Sequence, residues 1–299
     1  MISIVVIVYN MHREAKRTLF SLDAEYQTGV SSKDYEVIVI DNGSPEPLDR
    51  DFVTGLGPNF RYHYHDTTSV SPAKAVNVGV GLARGDEVAV IVDGARIATP
   101  GLVNATRRAL RLFDQPFVCA LSWHLGHDIQ NVLIENGYDT EQEDSLLDSV
   151  DWPDDGYRLF EISTIAPSSR QGFLNGMPSE CSWFAMCKAQ FLEAGGFDER
   201  FQSPGGGLVN HDFLKRIQAS GTFSQIVLLG EGVFHQMHGG VSTNVALSEQ
   251  PLASFQDEYT RIHGAEYKPA KGQTVSYFGS ITPSAFRFVA KPDMGKIYE

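Results

Sequence analysis

Cysteine is scarce in this chain. Cys119, Cys181 and Cys187 are the only three in 299 residues, an odd number without the paired spacing of a thiolate metal site. That argues against a disulfide-stapled scaffold and points to a reducing, cytoplasmic setting. Positive charge is also in short supply: 24 Lys and Arg face 37 Asp and Glu, for a net charge of −13. No nucleic-acid partner and no anionic membrane surface is expected, because both need a basic face. Long apolar runs are missing as well. Nothing approaches the ~20 residues that cross a bilayer, so no transmembrane segment is expected. The opening "MISIVVIVYN" is apolar but lacks a basic leader region and a cleavage site, and reads as a first strand. There is no internal repeat, low-complexity segment or clear linker.

What remains is ordinary globular material, 42% hydrophobic and 20% charged, long enough for one large α/β domain or two small ones. Residues 2–9 and 35–40 ("YEVIVI") are continuous β-branched runs, as in strands buried on both faces of a parallel sheet. Residues 12–25 between them read as an amphipathic helix through Leu19 and Leu22, and "FRYHYH" (60–65) as an outer strand. Ser71 and Pro72 then suit the cap and first turn of a helix stopped at Gly85. Strand 86–92 ends at Asp93, and Thr99–Pro100 opens another helix running to about Phe113. This order implies right-handed crossovers and a doubly wound α/β sheet.

Residues 124–180 are acidic, contain Pro and Ser, and show little periodicity, so they read as a partly mobile insertion on one face. Regular pattern resumes with strand "CSWFAMC" (181–187), a short helix closed by Gly195–Gly196, and the glycine loop "SPGGG" (203–207). Helix 209–221, strand "QIVLL" (225–229), loop "FHQMHGG" (234–240) and a helix ending near Gly264 follow. Residues 265–299 carry no readable pattern.

Ligands of open α/β sheets bind beyond the carboxyl ends of the strands. Those ends are Tyr9–Asn10, Asp41–Asn42–Gly43–Ser44 and Asp93–Gly94. Tyr9 could stack on a nucleobase, and Asp41 or Asn42 could hydrogen-bond its edge, although "DNGS" is also a plain turn signal. "GVGLARG" (79–85) lies within a helical pattern and is no dinucleotide fingerprint. Trp183 reads as core, and Asp154–Asp155 as solvated surface.

The blocks "ISIVVIVYN", "YEVIVIDNGS", "AKAVNVGVGLARGDEVAVIVDGARIATPGLV", "GGFDERF" and "NHDFLKRI" together resemble, in order and spacing, the signatures of GT-A glycosyltransferases of family 2. The resemblance covers residues 1–115 closely and 180–245 in outline. It implies a GT-A domain over residues 1–245: a Rossmann-like nucleotide-sugar half (1–115), the insertion (124–180) and an acceptor-side half (181–245). Residues 246–299 would form a C-terminal helix and tail, packed on the domain or joining a homo-oligomer. The implied activity is inverting transfer of a sugar from a UDP-, GDP- or dTDP-sugar to a saccharide or other hydroxyl acceptor, as in polysaccharide biosynthesis. Tyr9, Asn10, Asp41, Asn42, Asn77, Asp93 and Arg96 would bind the donor, and Asp212 would be the general base.

This sequence departs from the family pattern at three places. Ala95 stands where the second aspartate of the Asp-x-Asp metal motif is usual, His211–Asp212 replaces a Glu-Asp pair, and Asp41–Asn42 replaces Asp-Asp. Leaving diphosphate needs a divalent cation or fixed positive charge. Mn²⁺ or Mg²⁺ could be held by Asp93 with His235 or His238, since one carboxylate suffices when water and phosphate complete the shell. Alternatively, Arg96 could grip the diphosphate bidentately without metal. Asp212, near a helix start, would stay ionised, though it could equally be a simple cap. His211 is the other candidate base. Glu180 could contact the donor sugar or simply lead its strand. Two rival functions stay open. One is a catalytically degenerate GT-A domain that binds nucleotide or sugar. The other, more distant, is a nucleotidyltransferase, which would need the glycine-rich loop that "YNMHREA" lacks.

Overall fold

The computed structural model describes residues 1–170, 174, 176–270 and 274–289; the rest of the expected tail lies outside them. The first elements are β1 (Ile2–Val8), α1 (His12–Phe20), β2 (Tyr35–Asp41), α2 (Arg50–Gly55), β3 (Phe60–Tyr64), α3 (Ala73–Leu82) and β4 (Glu87–Ile91). Then come β5 (Arg96–Ala98), α4 (Leu102–Ala109), β6 (Pro116–Leu125), α5 (Gln130–Glu135), α6 (Thr140–Asp148), β7 (Ser163–Ile165) and α7 (Pro167–Arg170). The chain closes with β8 (Trp183–Cys187), α8 (Lys188–Glu193), α9 (Val209–Ser220), β9 (Ser224–His235), α10 (Leu252–His263), β10 (Val275–Gly279) and α11 (Phe286–Val289).

The main sheet has the order β10-β9-β6-β8-β4-β1-β2-β3. Its neighbours are parallel except β8, which runs antiparallel to both β4 and β6. The pleat divides the β-branched runs between two cores. Val5, Ile7, Ile38, Ile40 and Val90 face α3, α8 and α9. Ile4, Val6, Val8, Val37 and Val39 face α1, α2 and α4. On the first side, α9 is anchored by Phe213, whose ring lies 5.2 Å from each of Phe184, Phe191 and Phe197. Truncating such a buried ring costs about 3–5 kcal/mol.

The expected α/β order of residues 1–93 is present, but four later expectations need correction. A central strand, β6, occupies 116–125, buried along its whole length, where the expected insertion begins at 124. Residues 96–98 form β5 on the edge of β9. The Thr99 hydroxyl therefore bonds Glu231 (2.5 Å) and lies within reach of Gly232 across that contact, and the helix starts later, after Gly101. Strand β9 reaches His235, so the "FHQMHGG" loop begins two residues further on. Finally, the region 124–180 holds α5, α6, β7 and α7, with α6 capped by the Asp139 carboxylate. Residues 275–279 add β10 to the sheet edge beside β9.

Candidate metal centre

Asp93 follows β4 and His235 ends β9, strands that are not neighbours in the sheet. The turn after Asp93 brings them together, because β5 pairs antiparallel with β9 and sets Arg96 opposite His235. Gly94 makes that turn feasible: its N–H donates to the Ile7 carbonyl (2.7 Å), and a Cβ there would meet Val8 at 2.5 Å and the same carbonyl oxygen at 2.7 Å.

The Asp93 Oδ2 atom lies 3.0 Å from His235 Nε2 and 3.4 Å from His238 Nε2, and the two Nε2 atoms are 3.1 Å apart. Adjacent ligands of an octahedral cation at ~2.1 Å are separated by roughly 3.0 Å. The three donor atoms therefore have the spacing of three neighbouring ligands on one face of such a shell. His235 is prepared as a donor. Its Nδ1 meets Gln130 Oε1 at 2.5 Å, and the Gln130 amide nitrogen donates to the His235 carbonyl at 2.9 Å, which fixes the amide's orientation. Nδ1 thus carries the hydrogen and Nε2 offers its lone pair. His238 is held by its loop, in which Asn244 Oδ1 accepts from both the His238 and Gly240 N–H groups at 2.9 Å.

The charges of this cluster are strongly coupled. Burial pushes the Asp93 carboxyl up, but His238, Arg96 and His235 outweigh it and hold the group well below the usual carboxylate range. Burial, then Arg96, pushes His235 down to about 3, so its imidazole is neutral. Burial opposes charge on His238 too, yet Asp93 raises it. Arg96 is buried, with Nη2 3.3 Å from Asp93 Oδ2 and Nη1 donating to Ser122 Oγ at 2.6 Å. Its guanidinium braces Asp93 in this structure.

Other expected site residues are distributed differently. Tyr9, 41% exposed, stands free beyond β1, and Asn10 adopts a left-handed φ of 52° with its N–H on Ser44 Oγ (2.8 Å). Asp41 is fully buried and knots its own turn, accepting from Ser44 N (3.0 Å), Leu48 N (2.9 Å) and the Tyr62 hydroxyl (3.1 Å). It is therefore spent structurally. Asn42 donates to the Ser69 and Ser71 carbonyls, while its Oδ1 has no partner among the described residues. Asn77 is a clamp, bonding both the N–H and the C=O of Phe197 at 2.9 Å. It holds the "GGFDERF" segment onto α3.

Asp212, the expected base, sits in an ion-pair network at the start of α9. It is 1% exposed, with Oδ2 accepting from Arg216 Nε (2.8 Å) and Oδ1 3.2 Å from His263 Nε2. His211 packs edge-on against Tyr267, the ring centroids 5.6 Å apart. Beside Asp212, a cavity of about 400 Å³ is lined by Asn77, Asp198, Arg200, Arg216 and His263. Asp198, Asp212 and His263 also offer donor atoms within 4.8 Å of one another, but Arg200 and Arg216 already neutralise these carboxylates.

A further carboxylate, Glu180, precedes β8. Strand β8 starts beside the end of β4, where Trp183 pairs with Ile91. Glu180 is half-buried, and Asn210 in the first turn of α9 donates to its Oε1 (3.3 Å) and to the Cys181 carbonyl (3.0 Å). Sequence reasoning missed Gln130 altogether, because a single glutamine in an unpatterned stretch carries no signal.

A family model described as "Glycosyltransferase like family 2" matches residues 3–227. Among solved structures the chain is similar to S. aureus TarS 1–349 in complex with UDP, at 16% identity and a TM-score of 0.54, covering 79% of this chain and 60% of that one. It is similar to the same protein in complex with UDP-GlcNAc at 15% identity and a TM-score of 0.51, covering 88% and 74%. It is also similar to S. aureus TarS at 15% identity and a TM-score of 0.51, covering 89% and 40%. This chain thus spans only 60% and 40% of the length of two of these, and at such identity the likeness is one of fold. No curated protein matches the sequence.

Proposed function

Because the chain belongs to the glycosyltransferase like family 2 and has a GT-A-type fold, we propose that it transfers a sugar from a nucleoside-diphosphate sugar to an acceptor hydroxyl. The observation that carries this reading is the triangle of Asp93, His235 and His238 beyond the strand ends. The donor lies across that rim, its base beside Tyr9 and Asn42 and its diphosphate at the triangle. UDP is the first nucleotide to try, since the similar TarS structures carry UDP and UDP-GlcNAc. GDP and dTDP sugars are the alternatives.

When bound, a divalent cation at the triangle supplies positive charge for the leaving phosphate. Two imidazoles with one carboxylate favour Mn²⁺ over Mg²⁺, which prefers an all-oxygen shell. Arg96 keeps Asp93 ionised and aimed. Glu180 is the general base: it withdraws the acceptor's hydroxyl proton while the oxygen attacks the anomeric carbon from the face opposite the diphosphate. The C1–phosphate bond breaks as the new glycosidic bond forms, so configuration inverts. Asp212, the base expected from the sequence, is 1% exposed and engaged by Arg216 and His263, which favours Glu180 over it.

The test is release of UDP from UDP-sugars offered with a panel of saccharide acceptors, with Mn²⁺ and again with EDTA. Release that depends on Mn²⁺ and on an acceptor is the expected result. Tight Mn²⁺-assisted UDP binding without release across the panel would identify the degenerate, binding-only alternative. Failure to bind any nucleoside diphosphate would sink the donor assignment.

A further inference from the structure

Building on the metal reading above, we propose that Gln130 is a positioning residue: it locks His235 in the tautomer that turns a lone pair, rather than a hydrogen, toward the metal. A neutral imidazole free in water favours hydrogen on Nε2, which would block that nitrogen as a ligand. Here the opposite tautomer is enforced by an acceptor that can accept only. Gln130 Oε1 lies 2.5 Å from His235 Nδ1, and the Gln130 amide is oriented by donating to the His235 carbonyl at 2.9 Å. The same Oε1 accepts from Asn244 Nδ2 (3.3 Å), the residue that also holds the His238 and Gly240 N–H groups. Gln130 therefore links both histidines of the triangle.

The glutamine is fully buried, at the first position of α5, and its own N–H donates to His124 Nδ1 (3.1 Å). An apolar side chain would fill such a position without the cost of burying an amide. The neighbouring helix completes the clamp. Glu143 on α6 accepts from the Met237 N–H (2.8 Å) and from Arg13 (2.8 Å), and Arg13 donates to the Met237 carbonyl (2.9 Å). The segment between β6 and β8 thus grips the chain on both sides of residues 235–237. Its role extends beyond shaping a pocket: it sets the ligand geometry from behind, as hydrogen-bonded partners of metal-bound histidines do.

The experiment reads the tautomer directly. In metal-free protein with ¹⁵N-labelled histidine, the ring nitrogen shifts of His235 are expected to report hydrogen on Nδ1. Gln130→Met, which keeps shape but removes the acceptor, should shift His235 toward the Nε2–H form. It should also weaken Mn²⁺ binding, followed by electron paramagnetic resonance, by about 10–100-fold. Gln130→Glu restores an oxygen opposite Nδ1 and should return both readouts toward wild type. A wild-type His235 with hydrogen on Nε2 overturns the inference without any variant, even if the substitutions impair folding. Unchanged tautomer and Mn²⁺ affinity in Gln130→Met overturn it while leaving the metal reading intact. Absence of Mn²⁺ binding to wild type overturns both.

Discussion

Asn210 and Asp212 stand two positions apart in the first turn of α9 and point in nearly opposite directions, about 200° around the helix. The Asn210 amide reaches Glu180 and the Cys181 carbonyl, whereas Asp212 ends between Arg216 and His263. The two carboxylates near this helix therefore divide their roles. Glu180→Gln is expected to lower kcat by roughly 10²-fold or more, with donor KM and thermal stability near wild type. Asp212→Asn should lower stability by about 1–3 kcal/mol, since Arg216 loses a charged hydrogen-bond partner, while turnover per folded molecule persists. Steady-state kinetics paired with urea denaturation separates the two. If the Asp212 variant is stable but inert, the assignment is reversed.

The metal triangle makes its own demand. Asp93→Asn and His238→Ala each remove one donor atom from a set of three. Binding of UDP with Mn²⁺ should raise the melting temperature of wild type, because a ligand held at a hundred times its Kd stabilises by about 2.7 kcal/mol. The shift should fall sharply in either variant and vanish with EDTA. Mg²⁺ should give the smaller shift at equal concentration. Equal shifts in wild type and Asp93→Asn would remove Asp93 from the diphosphate site.

The legibility of the sequence followed its physics. Residues 2–8 and 35–41 were readable because a strand buried on both faces must be apolar throughout. Helix α9 and its stop at Gly221, with a left-handed φ of 67°, were readable from helical spacing and a terminal glycine. Asp93, His235 and His238 were named as candidate ligands through the resemblance, and the fold brings their donor atoms together. What could not be read was set by contacts distant along the chain. Arg96 is aimed by the β5–β9 pairing, Asp41 is consumed by its own turn, and Asp212 by a histidine 51 positions further on in α10. Glutamine at 130 has meaning only once His235 is beside it.

Gly94 tests how tightly the turn beyond β4 is built. A methyl group at this position has no room against Ile7 and Val8. Gly94→Ala should destabilise by about 1–3 kcal/mol, typical of overpacking in a rigid site. It should also weaken Mn²⁺ binding, because the displaced turn carries Asp93. A variant that matches wild type in both urea midpoint and Mn²⁺ affinity would mean that the turn has slack the observed contacts deny.

Glu36 offers a pH-dependent test away from the candidate site. It is buried on β2 and accepts from Ser3 Oγ, the Arg84 N–H and Arg61 Nη1, each at 2.7 Å. Burial alone would raise its pKa; Ser3, Arg84 and Arg61 together outweigh that and lower it. A carboxyl lowered on folding stabilises the native state most when it is fully ionised in both states, above the ~4.3 of a free glutamate. That contribution fades as pH drops through the lower folded value. Glu36→Gln should thus be less stable than wild type by about 1–3 kcal/mol at pH 7, and the gap should narrow steadily below pH ~4. Urea midpoints of both proteins across that range supply the comparison. A gap that stays constant with pH would mean that the ionised form of Glu36 gains nothing from its three donors.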